Sequence, residues 1–154
     1  MTLRFQRATL DQPVARQLVE ALNAELSEQY PEEGANHFRL DADEVSGDRG
    51  VFLVGYLGEQ PVACGAIRRL SEEDAEIKRM YVDPDTRGKG VGRRLLDELV
   101  SHGVGFGVKR IVLETGTRQT EALALYERAG FKRIPCFGEY ANSPLSLCMA
   151  KQLR

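Results

Sequence analysis

The stretch MYVDPDTRGKGVGRRLL, residues 80–96, decides the fold of this chain. It begins as a β-strand that ends at Pro84 and continues through a turn with glycines at positions 88, 90 and 92. It then becomes a helix whose apolar residues recur at helical spacing. Because glycine lacks a Cβ, the amides of such a turn can approach an anion closely, and the unpaired amides of the first helical turn point the same way. The stretch therefore predicts a cradle for a pyrophosphate group.

Positive charge is concentrated at the same turn. Four of the 21 basic residues of the chain lie within eight consecutive positions, at Arg87, Lys89, Arg93 and Arg94. With 23 acidic residues the formal net charge of the whole chain is -2, and no polybasic arm is present, which argues against a nucleic-acid partner. A P-loop needs Ser or Thr after Gly-Lys and a dinucleotide fold needs G-x-G-x-x-G, and neither pattern matches this turn. A tight turn with solvated arginines is the structural alternative to an anion site.

The segments around this stretch predict a single domain over residues 1–154. Strands and helices alternate in an order that implies a mixed sheet covered by helices, not a doubly wound parallel sheet. The polar residues 32–50 are predicted to form a loop with one short helix. The helix that follows the glycine turn is predicted to end near Gly103. The predicted strands are residues 3–8, 51–57, 61–70, 75–82, 110–115, 131–134 and 145–149.

Composition restricts the class of protein. A chain of 154 residues with 42% apolar residues can bury one core without disulfides or metals. Its start has no apolar signal-peptide core, and no stretch approaches the roughly 20 apolar residues of a membrane span. The three cysteines and two histidines have no metal-binding spacing, so we predict no metal and treat the cysteines as core residues. These features predict a cytoplasmic protein without a membrane or nucleic-acid partner.

Two motifs carry a resemblance to a known family. Residues 87–92, RGKGVG, resemble the acyl-CoA-binding signature R/Q-x-x-G-x-G/A of the GNAT N-acetyltransferases, and they follow a strand that ends V-x-P as in that family. Residues 121–131, EALALYERAGF, are similar to the family helix and turn A-x-x-L-Y-E-x-x-G-F. The resemblance covers nearly the whole chain. It implies an α/β fold of the α+β type, with a mixed, mostly antiparallel sheet of six to seven strands and about four helices.

The resemblance also implies a cofactor site for acetyl-CoA, the acetyl donor. The main chain of the strand before the turn pairs with the pantetheine arm in such enzymes, and the amides of the turn hold the pyrophosphate. Gln119 stands where many members have Asn, and it is expected either to reach the pantetheine or to order its own turn. The other implied cofactor residues are Met80, Tyr81, Val82, Arg87, Gly88, Lys89, Gly90, Val91, Gly92 and Arg93.

Two catalytic residues follow from the resemblance and from the chemistry. Tyr126 matches the tyrosine that protonates the leaving thiolate, and its alternative role is to be one more member of an apolar helix face. An alkylamine is protonated at neutral pH, so a carboxylate or an ordered water must accept its proton before attack. Glu76 matches the glutamate that some members use as base; the alternative is an exposed glutamate paired with Lys78 or Arg79. If its strand alternates regularly, Glu76 shares one face with Lys78, Met80 and Val82.

The acceptor is the least specified part of the prediction. Carboxylates at Glu32, Glu33 and Glu139, with Tyr140 beside the last, lie where the resemblance places the acceptor groove and favour a cationic amine. We expect acetylation of a small or amino-acid-like amine by direct attack in a ternary complex. The alternatives are a protein or peptide N-acetyltransferase, a non-catalytic acyl-CoA sensor, and a phosphate or nucleotide binder. The resemblance also allows a homodimer.

Overall fold

The computed structural model describes residues 2–31, 45 and 49–153. Seven strands form one sheet and three α-helices cover it in this part of the chain; two 3₁₀ turns span Pro84–Thr86 and Gly138–Tyr140. The helices are α1 (Pro13–Gln29), α2 (Val91–Phe106) and α3 (Thr120–Arg128). The strands are β1 (Leu3–Ala8), β2 (Gly50–Leu57), β3 (Gln60–Arg69), β4 (Asp74–Val82), β5 (Arg110–Gly116), β6 (Lys132–Ile134) and β7 (Ser146–Gln152).

The strand order is β1-β2-β3-β4-β5-β7-β6, and only β4 and β5 run parallel among these neighbours. A parallel pair needs a crossover, which α2 provides, whereas short turns suffice for the antiparallel hairpins. The predicted α/β fold with a mixed, mostly antiparallel sheet is confirmed. The helix count is three in the described residues against about four predicted, and the short helix predicted within residues 32–50 falls almost entirely outside them. None of the helices in the described ranges is long and apolar enough to cross a membrane.

Two apolar clusters lie on opposite faces of the sheet. The α2 core joins α2 and α3 to one face, and the α1 core joins α1 to the other. Helix α2 runs past Gly103 and ends at Phe106, so the predicted end is three residues early; Gly107, with a φ of 80°, is its C-cap. Gly103 lies inside the helix, where an added Cβ would stand 2.7 Å from the Ile111 side chain, so glycine is needed for this close approach. Of the three cysteines, all free thiols, Cys64 and Cys148 are buried and Cys136 is half-buried.

Strand β4 contains a β-bulge at Arg79, which has a φ of 60°. One residue of β3 lies opposite two residues of β4 at this point, so the alternation of side chains is shifted by one position beyond it. Tyr81 therefore packs in the α1 core, whereas Met80 and Val82 pack in the α2 core. The sequence predicts one shared face of β4 for Glu76, Lys78, Met80 and Val82. This prediction is wrong for Met80 and Val82, which lie beyond the bulge and point to the other face.

Candidate active site

A cavity of about 620 Å³ opens where β4 and β5 separate. Their parallel pairing ends at Ile77 and Leu113, although both strands continue. Beyond that point, residues 78–80 of β4 and 114–116 of β5 line the cavity. The remaining wall comes from the second half of α1 and the residue after it, from α3 and the residue before it, and from the segment between β6 and the start of β7. It includes Leu22, Leu26, Tyr30, Gln119, Ala122, Tyr126, Glu139, Tyr140 and Ser146.

The glycine turn leads directly into the N-terminus of α2. Gly88 and Gly90 have φ values of 82° and 80°, and an added Cβ at either would meet nothing within 4 Å. Glycine is therefore required here by backbone conformation, and the turn is left open and exposed. At Gly92, an added Cβ would contact Leu125 of α3 at 3.4 Å, so the helix start packs closely beside α3. Open amides at the start of a 16-residue helix fit a pyrophosphate group.

The basic side chains around the turn mostly contact other parts of the protein. Arg87 donates from Nη2 to both carboxylate oxygens of Glu25 on α1, at 2.7 and 2.9 Å, and from Nε to the Val82 carbonyl at 2.9 Å. Arg93 donates to Asp97 one turn further along α2, at 3.2 Å. The side chains of Arg87 and Arg93 are thus already bonded within the protein.

Tyr126 lies on the cavity wall and is buried in the α2 core as well. Its Oη lies 3.8 Å from the Met80 sulfur, and its ring stands 6.0 Å from the Phe131 ring. Burial raises the pKa of the Tyr126 phenol, with a smaller contribution from Glu114, so the hydroxyl stays protonated at neutral pH. Tyr126 is therefore a core residue that also lies on the cavity wall with its hydroxyl protonated.

Glu76 is fully buried and is held by two partners. Its Oε1 accepts from Nε and Nη2 of Arg68, at 3.0 and 2.8 Å, and its Oε2 accepts from Tyr140 Oη at 2.7 Å. The alternative pictured from sequence, an exposed glutamate paired with Lys78 or Arg79, is wrong because the partner is Arg68 on β3. Glu76 is not among the residues that line the cavity. Both carboxylate oxygens of Glu76 therefore already accept hydrogen bonds from other side chains of the protein.

Glu114 on β5 lines the cavity, and it was not identified as a site residue from the sequence. Its Oε2 accepts from the Ser146 hydroxyl at 2.6 Å. Burial raises the pKa of the Glu114 carboxyl, and the hydrogen bond from Ser146 partly opposes this shift. The signal in the sequence is a single carboxylate directly after the apolar run Ile111 to Leu113, in a strand that continues into the buried Thr115.

Gln119 stands at the N-terminus of α3 and lines the cavity. Its Oε1 accepts from the amide of Gly116 at 2.9 Å and from the Thr115 hydroxyl at 3.1 Å. Of the two roles expected for this side chain, the geometry corresponds to ordering the turn between β5 and α3.

Of the residues predicted to meet the acceptor, Glu139 and Tyr140 line the cavity, and Glu32 and Glu33 lie outside the described residues. Glu139 Oε2 lies 3.7 Å from Lys78 Nζ. Burial and the neighbouring Glu76 raise the pKa of the Tyr140 phenol. No group of three or more potential metal ligands occurs among the described residues.

Comparison with known proteins gives a consistent result. The family model of the acetyltransferase (GNAT) family matches residues 15–131. An IAA acetyltransferase of Azospirillum brasilense is 40% identical over 138 residues, which is 89% of each chain. A Klebsiella pneumoniae structure described as an acyl-CoA N-acyltransferase superposes with a TM-score of 0.82 over 99% of each chain, at 29% identity. A GNAT acetyltransferase of Elizabethkingia anophelis, solved with acetyl-CoA bound, shares the fold with a TM-score of 0.71 over 98% of each chain, at 19% identity.

Proposed function

This chain belongs to the acetyltransferase (GNAT) family, and we propose that it moves an acetyl group from acetyl-CoA to the amine of a small molecule. The observation that carries this proposal is the cavity between β4 and β5, which has Glu114 on one strand and Tyr126 on α3. A relative named IAA acetyltransferase supports a small acceptor. So does the cavity volume, which lies in the range of small-molecule sites.

Acetyl-CoA supplies an activated acetyl group as a thioester. In our proposal, the amides of residues 87–93 hold its pyrophosphate, since Gly88 and Gly90 leave that turn open. The main chain of Met80, Tyr81 and Val82 holds the pantetheine, because β4 is no longer paired with β5 beyond Ile77. The bulge amides near Met80 polarise the acetyl carbonyl.

The amine must lose a proton before it attacks. We assign this proton to Glu114, because its carboxylate lines the cavity and its raised pKa brings it closer to that of an amine. Glu76, the base predicted from the sequence, remains the alternative. Its oxygens already accept from Arg68 and Tyr140, so it would have to give up one partner to act as base.

The leaving thiolate must gain a proton, and Tyr126 is the proposed donor. Glu114 passes the first amine proton to solvent, and the neutral amine attacks. As the N–C bond forms and the C–S bond breaks, the second amine proton passes to Glu114 and the phenol proton passes to sulfur. Tyr126 then recovers a proton from solvent. A covalent intermediate on cysteine is disfavoured, because burial raises the pKa of Cys64 to about 12 and also raises that of Cys148. This supports direct attack in a ternary complex.

The test is a CoA-release assay with acetyl-CoA against a panel of small amines and peptides. Tyr126→Phe is expected to lower kcat by about 10²–10⁴-fold while the KM for acetyl-CoA changes little. Gly90→Glu places a carboxylate where the pyrophosphate is expected, so it should raise the KM for acetyl-CoA sharply. Turnover of peptides alone would favour a protein N-acetyltransferase. CoA binding without turnover of any amine would favour an acyl-CoA sensor, and ADP binding as tight as that of CoA would favour a nucleotide binder.

A further inference from the structure

Two consecutive residues of β4, Lys78 and Arg79, both line the cavity. Neighbouring residues of a regular strand point to opposite faces of the sheet. The bulge removes this restriction, because Arg79 takes a φ of 60°, a conformation that is uncommon for a residue with a side chain. Strained backbone of this kind is found most often at binding and catalytic sites, so the presence of two cations here calls for a functional reason.

Both cations are removed from water to a large extent. The side chain of Lys78 is only 5% exposed, and Arg79 is half-buried, with its Nη1 3.1 Å from Asn23 Oδ1 on α1. Burial lowers the pKa of both side chains. A buried positive charge is stable only with negative charge or strong acceptors near it. Lys78 has Glu139 at 3.7 Å and Glu76 nearby, and Arg79 has Asn23, so both charges have partners within the protein. Because both side chains also line the cavity, a ligand carboxylate could join these partners.

The carboxylates on the wall belong to other elements. Glu139 approaches Lys78 from an exposed turn, and its own side chain is 41% exposed. Glu114 lies on β5 and is bonded to Ser146. The cavity wall thus carries two cations on β4 and two carboxylates from other elements, a pattern that matches a ligand with both signs of charge.

Resting on the function proposed above, we propose that the acceptor is a compact amino carboxylate, such as an α-amino acid. Its amine faces Glu114, and its carboxylate faces Lys78 and Arg79. A simple alkylamine would place an unpaired positive charge near two buried cations, and such like-charge contacts are unfavourable. An amino carboxylate places its negative charge there.

The first experiment compares three acceptors that share one side chain: an amino acid, its carboxamide and the amine without the carboxyl group. Small, aliphatic and aromatic side chains are tested in this way with the wild-type enzyme. The amino acid is expected to give a kcat/KM about 10- to 100-fold above both analogues, which is the effect of one charge-assisted hydrogen bond. The carboxamide is the stricter comparison, because its amine is less basic and more of it is neutral. Equal turnover of carboxamide and amino acid would overturn the inference and leave the proposed function standing.

Lys78→Met is the matched variant, since it keeps the length of the side chain and removes the charge. Its kcat/KM should fall about 10- to 100-fold for the amino acid and change little for the two analogues. Lys109→Met is the control, because Lys109 is exposed and pairs with Glu73 away from the cavity. An equal loss with all three acceptors would mean that Lys78 only supports the fold, against the inference.

Binding tests the inference even if no acceptor is turned over. With wild type saturated with CoA, a high concentration of the amino acid should raise the melting temperature, and it should raise that of Lys78→Met less or not at all. This result without turnover would support the amino carboxylate and contradict acetyl transfer. If no amino carboxylate is either turned over or stabilising, the inference is wrong.

Discussion

At the scale of single residues, the surroundings of Glu114 predict how the enzyme depends on pH. If Glu114 accepts the amine proton, it must be ionised, and burial raises the pKa at which it ionises. The kcat/KM of the wild type should therefore fall as the pH is lowered through that raised pKa. Glu114→Gln should lower kcat/KM by about 10²–10⁴-fold and remove this acid limb from the pH profile.

Glu76→Gln is the comparison variant for the same prediction. It removes the nearer carboxylate from Arg68, whose side chain is 16% exposed and whose other ion pair, with Glu139, is longer at 4.0 Å, so the free energy of unfolding should fall by about 3 kcal/mol. Turnover at a temperature where the variant is folded should keep the acid limb. If instead Glu76→Gln removes the acid limb and Glu114→Gln does not, the base is Glu76.

How much of the site could be predicted differs from residue to residue. The glycine turn could be predicted from its spacing, and Tyr126 from a continuous segment that resembles the family helix. The partners of Glu76 could not be predicted in this way, because Tyr140 is 64 residues away and the two meet only in the folded chain. Glu114 shows an intermediate case, since a carboxylate after an apolar run is visible in the sequence but its position on the cavity wall is not.

At the scale of elements, two glycines of α2 should respond oppositely to the same substitution. Gly103→Ala brings a methyl group against Ile111 and Ile67 and should reduce the free energy of unfolding by about 1–3 kcal/mol. Gly105→Ala meets nothing within 4 Å and should increase it by about 0.5–1 kcal/mol, since alanine restricts the unfolded chain. Urea denaturation measures both. A loss of stability in Gly105→Ala would show that this last turn of α2 does not benefit from helix propensity.

Most element boundaries follow from hydrophobic periodicity and from glycines at the ends of elements. The order of strands and helices was predictable for this reason. The exceptions arise from packing. Gly103 resembles a helix end in sequence, yet it lies inside α2 and is glycine because Ile111 occupies the space that a side chain would need. The bulge at Arg79 has no glycine or proline to mark it, so regular alternation was the natural expectation for β4.

At the scale of the whole molecule, the second half of α1 and its C-cap, Tyr30, contact three parts of the cavity region. One contact reaches the glycine turn, one the bulge of β4 and one the turn between β5 and α3. The atoms involved are Glu25 with Arg87 Nη2 at 2.7 Å, Asn23 Oδ1 with Arg79 Nη1 at 3.1 Å, and Tyr30 Oη with the Arg118 amide at 2.7 Å. A ligand held by the turn and by β4 would therefore stabilise elements from both faces of the sheet.

Acetyl-CoA should accordingly raise the melting temperature of the whole chain in a single transition. At about 100 times its dissociation constant, a ligand that binds only the folded state adds about 2.7 kcal/mol, which is about 5–10 °C for a chain of this size. Gly90→Glu should lose this increase, measured from the melting temperature of the same variant without ligand. Gly105→Ala, which alters the same helix away from the turn, should keep it. An equal increase in Gly90→Glu would mean that the pyrophosphate does not lie at the glycine turn, because a carboxylate at position 90 would then neither repel nor obstruct it.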